Sequence, residues 1–202
     1  MSKGRLEAFS DGVIAIIITI MVLELHVPEE ASLSALRPLL PKFLSYVLSF
    51  IFLGIYWNNH HHLWQAAKQV NGSILWANMH LLFWLSLIPF ATGWMGENNF
   101  AELPVALYGA VLWLSAMAYY LMVRVMLAHH GKDSILSAAL GDGKKERISL
   151  AIYTFAIPLA FFVSWLSTLF YVVVAILWLI PDRRIEKSIV EVDCFSVRKN
   201  FL

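Results

Sequence analysis

The fold is decided by a polar segment that leads without a break into an apolar run. The polar part is Arg5-Leu6-Glu7-Ala8-Phe9-Ser10-Asp11-Gly12, and the apolar part is Val13-Ile14-Ala15-Ile16-Ile17-Ile18-Thr19-Ile20-Met21-Val22-Leu23. A charge beside hydrocarbon is costly, so we expect Asp11 to be functional or paired. No small-residue cleavage site follows the run, which predicts a retained first membrane helix and not a signal peptide.

The composition is that of a polytopic membrane protein. The chain has 202 residues, of which 59% are hydrophobic and 14% charged, whereas soluble proteins have about 25% charged residues. Its net charge of +1 and the lack of a basic block argue against a nucleic-acid partner. The single cysteine, Cys194, excludes an intramolecular disulfide. The sequence therefore predicts a protein whose partner is the lipid bilayer, and it implies no soluble partner.

The lengths of the uncharged intervals predict the number of spans. Crossing the hydrocarbon takes roughly 20 helical residues. The first span covers about residues 6–27, and residues 43–67, 69–96 and 103–123 are each long enough for one more. Residues 148–181 would make a single helix of roughly 50 Å, which is far too long for one span. Two helices with a turn near residues 164–168 fit this interval better.

The distribution of basic residues selects the six-span alternative. With six spans and both termini in the cytoplasm, all of the 15 Lys and Arg residues except Arg37 and Lys42 lie inside, as the positive-inside rule favours. The predicted fold is all-α, with a six-helix transmembrane domain at residues 1–181 and a short cytoplasmic tail at residues 182–202. A loop at residues 129–147 is the longest inner connection.

Two groups of residues in the first helix invite a functional interpretation. Helical spacing places Ile16, Ile20 and Leu23 on one face, with Thr19 at its edge. Such a stripe is also typical of a helix that faces lipid or packs against a neighbour. Ser10 and Asp11 are residue types that cap helix N-termini, which is the structural alternative for this pair.

The histidines do not predict a metal site. His60, His61 and His62 are consecutive, and neighbouring helical positions point about 100° apart, so the three cannot converge on one ion. No catalytic spacing and no phosphate-binding glycine loop is found. We therefore expect neither an enzyme nor a cofactor.

Three motifs together resemble the transmembrane protein 175 family, whose members are potassium-permeable channels of prokaryotic membranes and endolysosomes. The first is R-x-x-x-F-S-D-G, the second is W-x-x-H-H, and the third is N-x-x-x-L followed by P-F. Their residues are Arg5, Phe9, Ser10 and Asp11; Trp57, His60 and His61; and Asn78, Leu82, Pro89 and Phe90. The first motif is specific, whereas the other two are moderately so.

The resemblance implies a homotetramer in a prokaryotic plasma membrane that conducts K⁺ through a pore lined by the first helix. It assigns the stacked apolar rings of the constriction and the ion-discriminating threonine to Ile16, Thr19, Ile20 and Leu23. It also implies that Phe9, Ser10 and Asp11 anchor this helix to polar residues of the second and third spans. The candidates for that network are Trp57, His60, His61 and Asn78. No TVGYG filter occurs in the sequence, so selection has to work without a ring of carbonyls.

A second function class is a small proton-coupled secondary transporter that uses Asp11 with His60 or His61 as a relay. Transporters typically show internal repeats or broken helices at the membrane midplane, and the sequence shows neither. Glu24, one residue past Leu23, is interpreted either as an interfacial charge or as an attractor of cations at the pore mouth.

Overall fold

All regular structure in the described part of the chain is helical. A computed structural model describes residues 2–67, 69–130 and 143–179. The helices are α1 (Lys3–Leu23), α2 (Leu33–Leu36), a 3-10 turn (Arg37–Leu39), α3 (Leu40–Ala66), α4 (Gly72–Ser86), α5 (Ile88–Glu97), α6 (Glu102–His130), α7 (Lys144–Leu159) and α8 (Ser164–Leu179).

Four helical stretches of the described residues are long and apolar enough to cross a membrane. They are Lys3–Leu23, Leu33–Ala66, Gly72–Glu97 and Glu102–His130. The remaining helices, α7 and α8, have 16 residues each and reach about 24 Å. The all-helical class predicted from the composition is confirmed for these residues.

The last apolar interval is divided into two helices, but the predicted position of the turn is wrong. We expected the turn near residues 164–168, whereas α7 ends at Leu159 and α8 already begins at Ser164. Pro158 lies in the last turn of α7. Its carbonyl accepts from the backbone N–H of Phe161 at 3.3 Å, which tightens the chain into a turn. The turn therefore lies at residues 160–163, directly after the last turn of α7, and not at residues 164–168.

The third apolar interval, expected as one span, is divided near its centre. Helix α4 ends at Ser86 and α5 begins at Ile88, with Pro89 in its first turn. Proline lacks the N–H that would continue the helix, and it is accepted in a first turn for the same reason. At the other end of α5, a side chain on Gly96 would place its Cβ 2.8 Å from Cα of Lys42. Glycine therefore permits the close contact of α5 with α3.

The first helix is enclosed on one side only. It packs against α3, α4 and α5 through buried residues that include Ile14, Ile17 and Met21. The α6 helix packs on the far side of α4 and α5 and contacts α7. This arrangement leaves one face of α1 outside the bundle.

Two further predictions concern the loop between α6 and α7 and the C-terminal tail. His129 and His130 belong to α6, and residues 144–147 belong to α7, so the predicted loop at residues 129–147 is shorter than expected. Its residues 131–142 lie outside the described part, as do residues 180–202 with the predicted tail and Cys194.

Candidate pore helix and its polar anchor

The four residues predicted to line a pore lie on the face of α1 that the bundle leaves uncovered. Ile16 is 60% exposed and Leu23 is 73% exposed, whereas Ile14 on the opposite face is 1% exposed. Ile20 and Thr19 are exposed as well. The Thr19 hydroxyl donates to the carbonyl of Ala15 at 2.8 Å. The helix therefore carries apolar residues on both faces, and among the described residues only one of these faces is buried.

Capping does not explain Ser10 and Asp11. Helix α1 begins at Lys3, and Ser2 is its N-cap residue. Ser10 and Asp11 thus lie two turns inside the helix, where no free backbone N–H groups need a cap. Their polar groups must find partners on other helices.

A buried polar branch joins α1 to α3 and α4. The Ser10 hydroxyl donates to the Leu6 carbonyl at 2.9 Å and accepts from Nδ2 of Asn78 at 3.0 Å. Oδ1 of Asn78 lies 2.8 Å from Nε2 of His60. Ser10, His60 and Asn78 are all buried. One asparagine therefore connects the three helices through groups that carry no formal charge when the imidazole is neutral.

A second branch lies closer to solvent and joins α1 to α3 alone. Nε1 of Trp57 donates to Oδ1 of Asp11 at 3.1 Å. Nδ1 of His61 lies 3.0 Å from Oε1 of Glu7, and the His61 ring stacks on Trp57 with an interplanar angle of 16°. We name these two branches together the polar anchor, consisting of Glu7, Ser10, Asp11, Trp57, His60, His61 and Asn78.

The sequence analysis did not identify two residues, Lys3 and Glu7, whose side chains also join α1 to α3 and its C-terminal end. Glu7 is one turn before Asp11, and Lys3 is one turn before Glu7, so the three share a face of α1. Nζ of Lys3 donates to the Ala67 carbonyl at 3.0 Å. The spacing of Lys3, Glu7 and Asp11 at intervals of four residues was the signal that could have predicted their common face.

The structure does not bring all predicted residues into the anchor. Arg5 and Phe9 are exposed, and within the described residues Arg5 makes no side-chain hydrogen bond or ion pair. The neighbours of the other six predicted residues are those given above, and their roles in function remain predictions.

The consecutive histidines contact different partners. His60 points to Asn78 and to Nε1 of Trp64, which lies 2.9 Å from it, whereas His61 contacts Glu7. Nδ1 of His60 and Nδ1 of His62 are buried without a hydrogen-bond partner. No group of three His, Cys, Asp or Glu residues in the described ranges could hold a metal ion.

The fold and this site define an integral membrane protein of the all-α class, in which a polar cluster holds a half-uncovered apolar helix. The chain belongs to the TMEM175 family. The family profile described as "Endosomal/lysosomal potassium channel TMEM175" matches residues 5–89, the segment that contains every residue of the polar anchor.

The relatives extend this assignment over nearly the whole chain. A Chryseobacterium protein named as a potassium channel is 58% identical over 191 residues, which cover 95% of this chain and 100% of that protein. The human protein named endosomal/lysosomal proton channel TMEM175 is 28% identical and covers 80% of this chain, but the match spans 36% of the human protein.

A solved structure agrees with the sequence comparisons. The crystal structure of a homologue of the lysosomal potassium-selective channel TMEM175, from Chamaesiphon minutus, is 29% identical to this chain. It matches with a TM-score of 0.74 and covers 87% of this chain and 95% of the solved one.

Proposed function

We propose that this protein is a potassium-permeable cation channel, assembled as a homotetramer, in which four copies of α1 surround the pore. Membership of the TMEM175 family and the bacterial relatives named as potassium channels support the transport activity. The pore assignment rests on the physical asymmetry of α1.

The observation that carries the proposal is the uncovered apolar face of the first helix. Ile16, Ile20 and Leu23 are exposed on one side of α1, while the other side is fully packed. Lipid would tolerate such a face, but it would not require the anchor that fixes the orientation of the helix with hydrogen bonds at residues 7, 10 and 11. A fixed rotation matters when the exposed face has to meet the same face of other copies around an axis.

Such a pore would select and close through apolar rings. A hydrophobic constriction blocks ions when it loses its water column, and a narrow one forces partial dehydration on each permeating cation. The Thr19 hydroxyl donates to its own helix, which leaves oxygen lone pairs that could coordinate a cation. We infer that Thr19 supplies the polar contribution to ion preference and that the three apolar side chains supply the barrier.

The same proposal includes the topology. Six spans, with α7 and α8 as the last two, place both termini and residues 131–142 in the cytoplasm, where the basic residues concentrate. The Leu23 end of α1 then faces outward, and the polar anchor lies towards the cytoplasm. The bacterial origin of the high-identity relative supports a prokaryotic plasma membrane.

Reconstitution into liposomes tests this function. Purified protein in potassium-loaded vesicles should dissipate a K⁺ gradient. A proton ionophore is added only to balance the charge that leaves with K⁺, and no proton gradient is required. Ile16→Asn provides the matched variant, because it changes the proposed barrier without touching the buried face. Strict dependence of K⁺ movement on a proton gradient, at fixed membrane potential, would replace the channel with the transporter alternative.

A further inference from the structure

A groove runs between α1 and α5 along the uncovered side of the bundle. Its volume is about 580 Å³, and Ile16 and Ile20 form one wall while Phe90 and Trp94 contribute to the other. This volume lies in the range of small-molecule sites, about 300–1,000 Å³. The groove therefore shares two side chains with the proposed pore constriction.

The α5 wall of the groove offers aromatic faces. The rings of Phe90 and Trp94 lie 6.4 Å apart with an interplanar angle of 21°, and Phe90 is 66% exposed. Ring faces attract cations, with an energy that increases when the cation loses water. The groove therefore favours a ligand that is both apolar and positively charged.

The end of the groove near Leu23 is acidic and only partly neutralised. Glu24 and Glu97 both line this end. Oε1 of Glu97 pairs with Nζ of Lys42 at 3.0 Å, whereas Glu24 has no ion-pair partner among the described residues. One carboxylate thus remains uncompensated beside the aromatic pair.

We propose that this groove binds hydrophobic organic cations, such as quaternary ammonium ions with short alkyl arms, and that their binding blocks the channel. The alkyl arms lie against Ile16, Ile20 and Phe90, and the charged centre lies between the Trp94 ring and the Glu24 carboxylate. The inhibition, but not the binding, rests on the proposed function, because the occupant presses on side chains assigned to the pore.

The first test measures inhibition of K⁺ flux by tetrabutylammonium added at the Leu23 end of the channel. Trp94→Ala should weaken inhibition about 3- to 30-fold, the range expected for loss of one cation–aromatic contact, and Phe90→Ala should weaken it about as much because the alkyl arms lose apolar surface. Each variant is referred to its own flux without inhibitor. Trp165→Ala is the control, because this aromatic residue of α8 is 68% exposed, close to the 66% of Phe90, and does not line the groove; it should leave inhibition unchanged.

The charge requirement is tested separately. Glu24→Gln should weaken inhibition, whereas Glu29→Gln, which removes an exposed carboxylate from the following loop, should not. Tetramethylammonium keeps the charge and lacks the apolar arms, so it should inhibit far less than tetrabutylammonium. Equal inhibition of the unmodified protein, Phe90→Ala and Trp94→Ala would overturn the site.

A binding measurement separates this inference from the proposed function. Tetrabutylammonium should raise the unfolding temperature of the detergent-solubilised protein, and Phe90→Ala should reduce this shift, whether or not the vesicles show K⁺ flux. Phe90→Cys in a Cys194→Ser background should react with a bulky thiol reagent in the assembled protein. A thiol that is protected in the oligomer but reactive in the monomer would show that a neighbouring copy fills the groove, and it would overturn the proposal. Absent flux with intact binding would instead contradict the channel function alone.

Discussion

Replacing Asn78 with leucine tests the central connection of the polar anchor. Asn78 is fully buried and bridges Ser10 of α1 to His60 of α3. Leucine has nearly the same size and cannot form either bond. We expect Asn78→Leu to weaken the assembled protein while leaving the apolar packing of α4 in place.

The expected loss of stability follows from the hydrogen bonds that Ser10 and His60 lose when Asn78 is replaced. Ser10 keeps its bond to the Leu6 carbonyl, so its loss resembles that of one interhelical hydrogen bond in a membrane protein, about 0.6 kcal/mol. His60 loses its bond to Asn78 but keeps the contact of its Nε2 with Nε1 of Trp64 at 2.9 Å, so its loss is also that of one interhelical hydrogen bond. The two losses together amount to about 1 kcal/mol, less whatever the added apolar surface contributes.

Unfolding of the purified protein in detergent, followed by the loss of the oligomer on native gels, measures this change. Asn58→Leu is the matched control, because Asn58 is exposed on α3 and forms no side-chain hydrogen bond within the described residues. Combining Asn78→Leu with His60→Phe should cost less than the sum of the two, since both remove the same bond. Equal stability of Asn78→Leu and Asn58→Leu would refute the reasoning.

The other predictions concern the pore helix and the topology. Ile16→Asn should keep water at the constriction, which raises current and lowers the preference for K⁺ over Na⁺ in bilayer recordings. Thr19→Val should reduce that preference with less change in current, because it removes an oxygen at constant width. Ile14→Asn should prevent folding instead, at a cost of about 2 kcal/mol or more for an unpaired buried amide, seen as lost yield. Cys194 should resist an impermeant thiol reagent in intact cells; rapid labelling from outside would contradict the six-span topology.

Much of the site could be predicted from residue chemistry. Ser10, Asp11, His60 and Asn78 are polar groups in apolar segments, and such groups need partners, while the family resemblance implied that these partners lie on neighbouring helices. Helical periodicity placed Ile16, Ile20 and Leu23 on one face of α1, and only the family resemblance implied that this face is not packed within the bundle. The burial of Ile14 on the opposite face agrees with the same periodicity.

The remaining details depended on three-dimensional packing. The contact of Glu7 with His61 needs the antiparallel register of α1 and α3, which no local pattern encodes. The break at Leu87 follows from Pro89, which lies in the first turn of α5, whereas the turn after Leu159 lies just beyond Pro158, a proline that remains inside α7. A proline signals a helix end in one context and a tolerated kink in another, so neither position could be predicted from the prolines alone.

The distribution of polar contacts along α1 has a consequence for how this protein can change over time. Its side-chain hydrogen bonds to other helices involve residues 3–11, whereas residues 12–23 are held within the described structure by apolar contacts and a weak 4.0 Å contact from Thr92 to the Met21 sulfur. Directional bonds tolerate little substitution, whereas the exposed apolar side chains at residues 16, 20 and 23 make no hydrogen bond within the described residues. We therefore expect substitutions that preserve the fold to be rarer at residues 3–11 and at the buried positions Ile14, Ile17 and Met21 than at the exposed positions of this helix.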